Sequence, residues 1–290
     1  MAFKILTILF PVFALVAVGY FYGRKHESDM TVANRLNMHV FTPALIFAAL
    51  ATKAYDFATY GGLALGMVAM VLGSGVIALL LVRATATPMS TLGPSLMFNN
   101  GVNLGVPLAM LTFGSDILPL AVLLFVVSAL LHFSLGIWLL DHRARFGNIL
   151  RNPVVLASVG GLGIGASGIE LWPPLLTAVR MLGEISIPLA LFGLGVRLTD
   201  GALTQWRIGI IAAIARPLAG MLIAWAAALT LQLEPRQAAL LLLYGALPPA
   251  VMNYVFAEHY GREPDKVASI VLIGNLAAVV FVPIALAMIL

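Results

Sequence analysis

The stretch Asn99-Asn100-Gly101-Val102-Asn103-Leu104-Gly105-Val106-Pro107 decides how this chain is read. It sits in a run from Pro88 to Phe113 that is otherwise apolar enough to cross a bilayer. Three Asn, two Gly and one Pro do not suit a helix that faces lipid. Pro107 removes a backbone donor and crowds the turn before it. Gly101 and Gly105 loosen the backbone, and the Asn amides need partners. An unsatisfied backbone group in hydrocarbon costs several kcal/mol, so irregular backbone at that depth lines a cavity or is buried in protein. Broken membrane helices with freed amides and carbonyls are the usual material of a carrier's solute site. The plain alternative is a proline-kinked structural helix.

The rest of the composition agrees with a membrane setting. Of 290 residues, 61% are hydrophobic and only 10% charged, and the mean hydropathy is +1.04. That describes a polytopic membrane protein, not a soluble domain. The net charge of +4 resides in short loops, where it sets topology. It does not point to nucleic acid. Cysteine is absent, so disulfides and thiolate metal sites are excluded. The first apolar run, Phe3 to Tyr22, lacks a charged leader and a small-residue cleavage site. It reads as a retained helix rather than a signal peptide.

A spanning helix needs about 20 mostly apolar residues. Ten runs meet that need, over 3–22, 32–51, 58–82, 88–112, 117–140, 153–169, 174–198, 206–230, 236–257 and 266–289. They are continuously apolar rather than alternating, so an all-α bundle is expected and not a barrel. One set of loops holds Arg24, Lys25, Arg83, Arg143, Arg145, Arg151, Arg197, Arg207, Arg262 and Lys266. The opposite set holds only Lys4, Lys53 and Arg236. The basic side is cytoplasmic, so both termini are expected outside.

The chain also repeats itself. Pro43 and Pro188 stand 145 apart, as do Phe47 and Phe192, and 145 is half of 290. The broken fourth span has a counterpart in the ninth, at Gly245-Ala246-Leu247-Pro248-Pro249-Ala250-Val251-Met252-Asn253. Five spans per half is an odd number, so residues 1–145 and 146–290 are expected to be inverted repeats. Paired interrupted helices in inverted repeats place a solute site near the membrane midplane.

The same residues carry a family likeness. Ala246-Leu247-Pro248, Tyr254-Val255-Phe256-Ala257 and Tyr260 resemble the ninth-span signature of the auxin efflux carrier family. Asn100, Gly105 and Pro107 resemble its fourth-span pattern N-x-x-x-x-G-x-P, and Pro43 fits its second span. The family includes bacterial malonate and malate permeases. The likeness covers essentially the whole chain. Asp141 to Asn152 stands where plant members carry a long loop, which suits a bacterial inner-membrane member. The resemblance implies a scaffold of spans 1, 2, 6 and 7, with a homodimer contact. It implies a transport domain of spans 3–5 and 8–10, crossed at spans 4 and 9. It implies an organic anion near that crossing and an elevator-like motion.

Several residues are candidates for the chemistry. Asn100 donates to a carboxylate without bringing charge into the membrane, or else caps the broken backbone. Asn103 and Asn99 are weaker substrate candidates, since helical spacing turns them to other faces. Asn253 either completes the site or makes a helix–helix hydrogen bond. Gly105, Pro107, Pro248 and Pro249 shape the breaks. Arg180 and Glu184, at i and i+4, are spaced to pair on one helix face, and Glu184 is a candidate for proton coupling. Arg216, just before Pro217, either draws the anion or satisfies freed carbonyls. His39 and His132 read first as satisfied core histidines and second as proton carriers. The pattern Gly163-x-Gly165-x-x-Gly168 lies in a span without strand–turn–helix context and fails as a nucleotide motif. No nucleophile–base pair, metal cluster or cofactor motif is present, so no enzyme is expected. The leading reading is a secondary carrier of small carboxylates such as malonate or malate, with auxin-like acids also in reach. A sodium-coupled symporter on the same plan is second, and an intramembrane enzyme is a distant third.

Overall fold

The computed structural model describes residues 2–26, 30–52, 57–143, 151–200 and 204–290. Lys53, Arg145 and most of the linker between the halves lie outside them. The described chain is helical, without strands. In order it forms α1 (Ala2–Lys25), α2 (Thr31–Leu36), α3 (Thr42–Ala51), α4 (Phe57–Thr85), α5 (Met89–Met97), α6 (Val106–Phe113), α7 (Leu118–Leu131) and α8 (Ile137–Leu140). The second half adds α9 (Pro153–Ser167), α10 (Pro173–Glu184), α11 (Ser186–Asp200), α12 (Trp206–Thr230), α13 (Pro235–Ala246), α14 (Met252–His259) and α15 (Pro264–Ile289). Six stretches are long and apolar enough to cross a membrane: Phe3–Lys25, Tyr60–Thr85, Ser115–Leu140, Pro173–Thr199, Trp206–Thr230 and Pro264–Ile289. Gly101–Phe113 and Pro153–Ser167 are shorter apolar helices.

Proline explains the local irregularities. Pro43 and Pro107 each follow a π turn, Asn37–Phe41 and Gly101–Gly105. In each case the residue before the proline bonds five residues back, Thr42 to the Asn37 carbonyl and Val106 to that of Gly101. The widened turn leaves room for a ring that would strike the carbonyl four residues back. Pro107 is therefore absorbed inside its segment and does not make the break. A third π turn, His132–Gly136, joins α7 to α8. Helix α9 starts on Asn152, whose Oδ1 accepts from the Val154 amide at 2.9 Å, with Pro153 next. It stops at Gly168, at φ 68°. The glycine-rich pattern there is thus a helix end.

Helices pack closely through small residues, as in membranes generally. Helix α1 lies along α11, and α3 lies along α9 and α10. At the first contact a Cβ on Gly19 would overlap the Phe192 carbonyl, and one on Gly195 the Val16 carbonyl. At the second, a Cβ on Gly183 would stand 2.7 Å from Leu45 Cα. Helix α12 packs on α4, α13 and α15, and α4 also packs on α5 and α7. Leu63, Met67 and Met70 of α4 share the main core with Leu240, Leu241 and Leu243 of α13 and with Val282 and Leu286 of α15.

Candidate functional site

Two helices stop in mid-course and meet. After α5 the backbone is extended at Phe98 (φ −108°, ψ 120°). After α13 it is extended at Leu247 (φ −65°, ψ 147°). The extended pieces pair as a single antiparallel bridge, Asn99 opposite Pro249. The Asn100 amide donates to the Pro248 carbonyl at 2.8 Å, and the Ala250 amide to the Phe98 carbonyl at 2.9 Å. Asn99 and Pro249 occupy the pair that exchanges no bonds, so the missing donor of Pro249 leaves no gap in the bridge.

Prolines 248 and 249 also free two carbonyls of α13, those of Tyr244 and Gly245, which would otherwise accept from their nitrogens. Both are answered. Asn99 Nδ2 donates to the Tyr244 carbonyl at 2.8 Å, and an Arg216 guanidinium nitrogen donates to Gly245 at 2.6 Å. Arg216 is fully buried. It reaches Gly245 because α12 and α13 touch at Gly220, where a Cβ would overlap the Gly245 carbonyl. Its charge sits at the C-terminal end of α13, the favourable end for a cation. The carbonyl that Arg216 meets is one freed by Pro249 rather than by its neighbour Pro217, its Nε and Nη2 have no partner among the described residues, and it does not line the cavity beside the crossing. Asn100 Nδ2 donates to Asn275 Oδ1 at 3.1 Å, and Asn275 Nδ2 donates to the Pro249 and Val271 carbonyls at 3.2 and 2.8 Å. Gly105 is at the crossing by close approach, since a Cβ would stand 2.6 Å from Leu247 Cδ1.

Beside the crossing lies a cavity of about 160 Å³. It is walled by the α2–α3 segment, α9 and α11 on one side, and by the paired breaks, α7 and the α7–α8 turn on the other. Asn100 and Asn103 line it, and so do Asn99, Ser128, His132 and Arg197. Asn103 is half-buried, and its side chain makes no hydrogen bond among the described residues. Among the described residues of the wall, Arg197 and His132 are the titratable ones, and none is a carboxylate. Asn253 is buried behind the wall, and its Nδ2 donates to the Phe98 carbonyl at 3.3 Å. It serves the crossing as a cross-helix bond.

Three expectations change. Arg180 and Glu184 are both exposed on α10 and form no ion pair. Helix α10 ends at Glu184, before the proline at 188, so the pair's last turn is not continued. Neither residue touches the cavity. His39 is exposed, and its Nδ1 lies 3.0 Å from the Arg35 carbonyl; it is not a core histidine and does not reach the cavity. His132 is buried on the cavity wall with Nε2 lacking a hydrogen-bond partner, so it is not a satisfied core histidine either. Arg197 escaped the sequence reading because it closes an apolar run and counts equally well as a loop cation. Only the fold turns it toward the breaks.

Comparison with known proteins adds the family. No curated protein matches the chain. A family model described as "Membrane transport protein" matches residues 142–286, half of the chain, and takes in α9 to α14 and nearly all of α15. The matched half contains the second break, and the crossing it builds is what a solute carrier needs. The chain belongs to this membrane transport protein family, the auxin efflux carrier family.

Proposed function

We propose that the protein is a secondary carrier of small organic anions, with the substrate held in the cavity beside the paired breaks. One observation carries this reading. Among the described residues, the cavity wall combines Asn103, Asn100, Ser128, His132 and Arg197 and carries no carboxylate. Amides, a hydroxyl and a cation recognise a carboxylate. A cation substrate would meet the positive charge of Arg197 on that wall. The volume favours small acids such as malonate or malate over aromatic ones. Pockets for drug-sized ligands span about 300–1,000 Å³, and this one is about 160 Å³.

The helix pairings support inverted repeats and a two-part carrier. Exchanging spans 1 to 5 with 6 to 10 turns the α1–α11 contact into the α9–α3 contact, and both are extensive. The cavity lies between these helices and the crossing, which fits a transport domain sliding against a scaffold. Its walls come from the ends of α7 and α11 and the start of α9, next to basic residues Arg151 and Arg197. On the positive-inside reading this is a cytoplasm-open state of a bacterial inner-membrane dimer with outward termini.

Purified protein in liposomes should take up labelled malonate or malate down its gradient. Arg197→Gln should raise the half-saturating concentration about tenfold, the effect of removing one charge-assisted hydrogen bond. Wild-type protein that moves no carboxylate would overturn the proposal.

A further inference from the structure

We propose that His132 binds one proton together with each anion, and that Asn253 enforces this by setting which ring nitrogen carries the hydrogen. The inference rests on the anion-carrier reading above. His132 reaches the cavity from the π turn after α7. Phe98 stacks on the ring at 4.1 Å, and Phe256 meets it edge-on at 5.1 Å. The Cδ2 atom lies against Gly136, where a Cβ would stand 2.8 Å away. Nε2, on the same edge, is sealed. The edge open to the cavity therefore carries Nδ1.

Asn253 faces the ring from α14. Its orientation is set, because Nδ2 donates to the Phe98 carbonyl. Its Oδ1 is sealed and, like His132 Nε2, has no hydrogen-bond partner among the described residues. An acceptor in that place selects the tautomer with hydrogen on Nε2, since the bond at one ring nitrogen decides the state of the other. Nδ1 then presents a lone pair to the cavity. A lone pair repels a carboxylate. Nδ1 donates to the anion only after taking a proton from water, which leaves Nε2–H toward Asn253 and Nδ1–H toward the carboxylate oxygen. No covalent bond of the substrate changes. One proton enters with the anion and leaves with it on the far side.

Among the described residues, no other group in contact with the ring takes that proton. Phe98 from α5, Phe133 from its own turn, and Asn253 and Phe256 from α14 do not titrate. Among the described residues of the cavity wall, the other charged one is Arg197, and it stays a cation throughout.

Malonate is titrated calorimetrically into purified protein at pH 7.5 in two buffers of different ionisation heat. Wild type should take up about one proton per malonate, and its affinity should fall about tenfold per pH unit on the alkaline side. His132→Gln should bind more weakly with no uptake. Asn253→Leu frees the ring to carry its hydrogen on Nδ1, so malonate should still bind while the uptake disappears. A merely structural Asn253 would not uncouple the two. Malonate binding to wild type without proton uptake overturns the inference and leaves the carrier reading standing, as does unchanged uptake in His132→Gln. Should His132→Gln fail to fold, wild type and Asn253→Leu decide the matter. If wild type binds neither malonate nor any other carboxylate, the carrier reading falls and this inference with it.

Discussion

The two breaks exchange one main-chain hydrogen bond each way, Asn100 to Pro248 and Ala250 to Phe98, and differ in what they add to that pair. The first, at Phe98 to Asn100, adds donors: the Asn99 and Asn100 side chains. The second, at Leu247 to Ala250, adds acceptors: the carbonyls of Tyr244, Gly245 and Pro249. A chain with asparagines in both halves would crowd the crossing with amides needing carbonyls. One with prolines in both would leave carbonyls facing each other. The difference shows that two breaks become complementary by being unlike at the place where they touch.

That comparison breaks most readily at Gly220. Gly220→Val pushes α12 off α13 and takes Arg216 away from the Gly245 carbonyl. Overpacking costs about 1–3 kcal/mol and an orphaned carbonyl about 1–3 more, so the thermal midpoint in detergent should drop sharply or folding fail. An unchanged midpoint would mean that the acceptor side does not need its cation.

Asn99→Leu tests the donor side. The Tyr244 carbonyl would keep only the Leu247 amide, at 3.4 Å, for a loss of about 1–3 kcal/mol. Asn253→Leu should cost less, because the Phe98 carbonyl keeps its 2.9 Å bond from the Ala250 amide. Denaturant or thermal unfolding of both variants ranks them. The reverse order would show that donors are not concentrated in the first half.

The smallest effect lies at the rim. Glu263 begins α15 and accepts from Lys266 Nζ at 2.6 Å and Thr91 Oγ1 at 2.7 Å, tying the second half to the start of α5. Partial burial pushes its carboxyl up, but those hydrogen bonds and the Lys266 charge outweigh it and hold the carboxyl below its ordinary value. A carboxyl depressed on folding adds stability above its unfolded value and loses it as pH falls through the folded one. The midpoint difference between wild type and Glu263→Gln should therefore be present at pH 7 and shrink on acidification below about pH 4. A difference that is flat with pH would leave the carboxylate no part in the tie.

Membrane character, helical class and the positions of both interruptions were legible in the sequence. Long apolar runs and clustered Asn, Gly and Pro are local signals with a local cause. The site was legible only in part. Pro107 draws attention in the sequence, yet a π turn absorbs it, and the chain breaks at Phe98 to Asn100 instead. Arg180 and Glu184 have helical pairing distance, but helix α10 stops at Glu184. His132 and Arg197 look ordinary in sequence, because what matters about them is a wall shared by helices far apart in the chain. Spacing along one strand of text carries no information about that.

The bridge between Asn99 and Pro249 has a mechanical consequence. Because each interruption is held by the main chain of the other, neither half can travel alone. Whatever displacement brings the cavity to the opposite face of the bilayer must carry both as one stiff cassette, so the cargo meets an unchanged set of main-chain contacts at departure and arrival. On the carrier reading proposed above, the stapled pair would keep its form while the surfaces around it change partners.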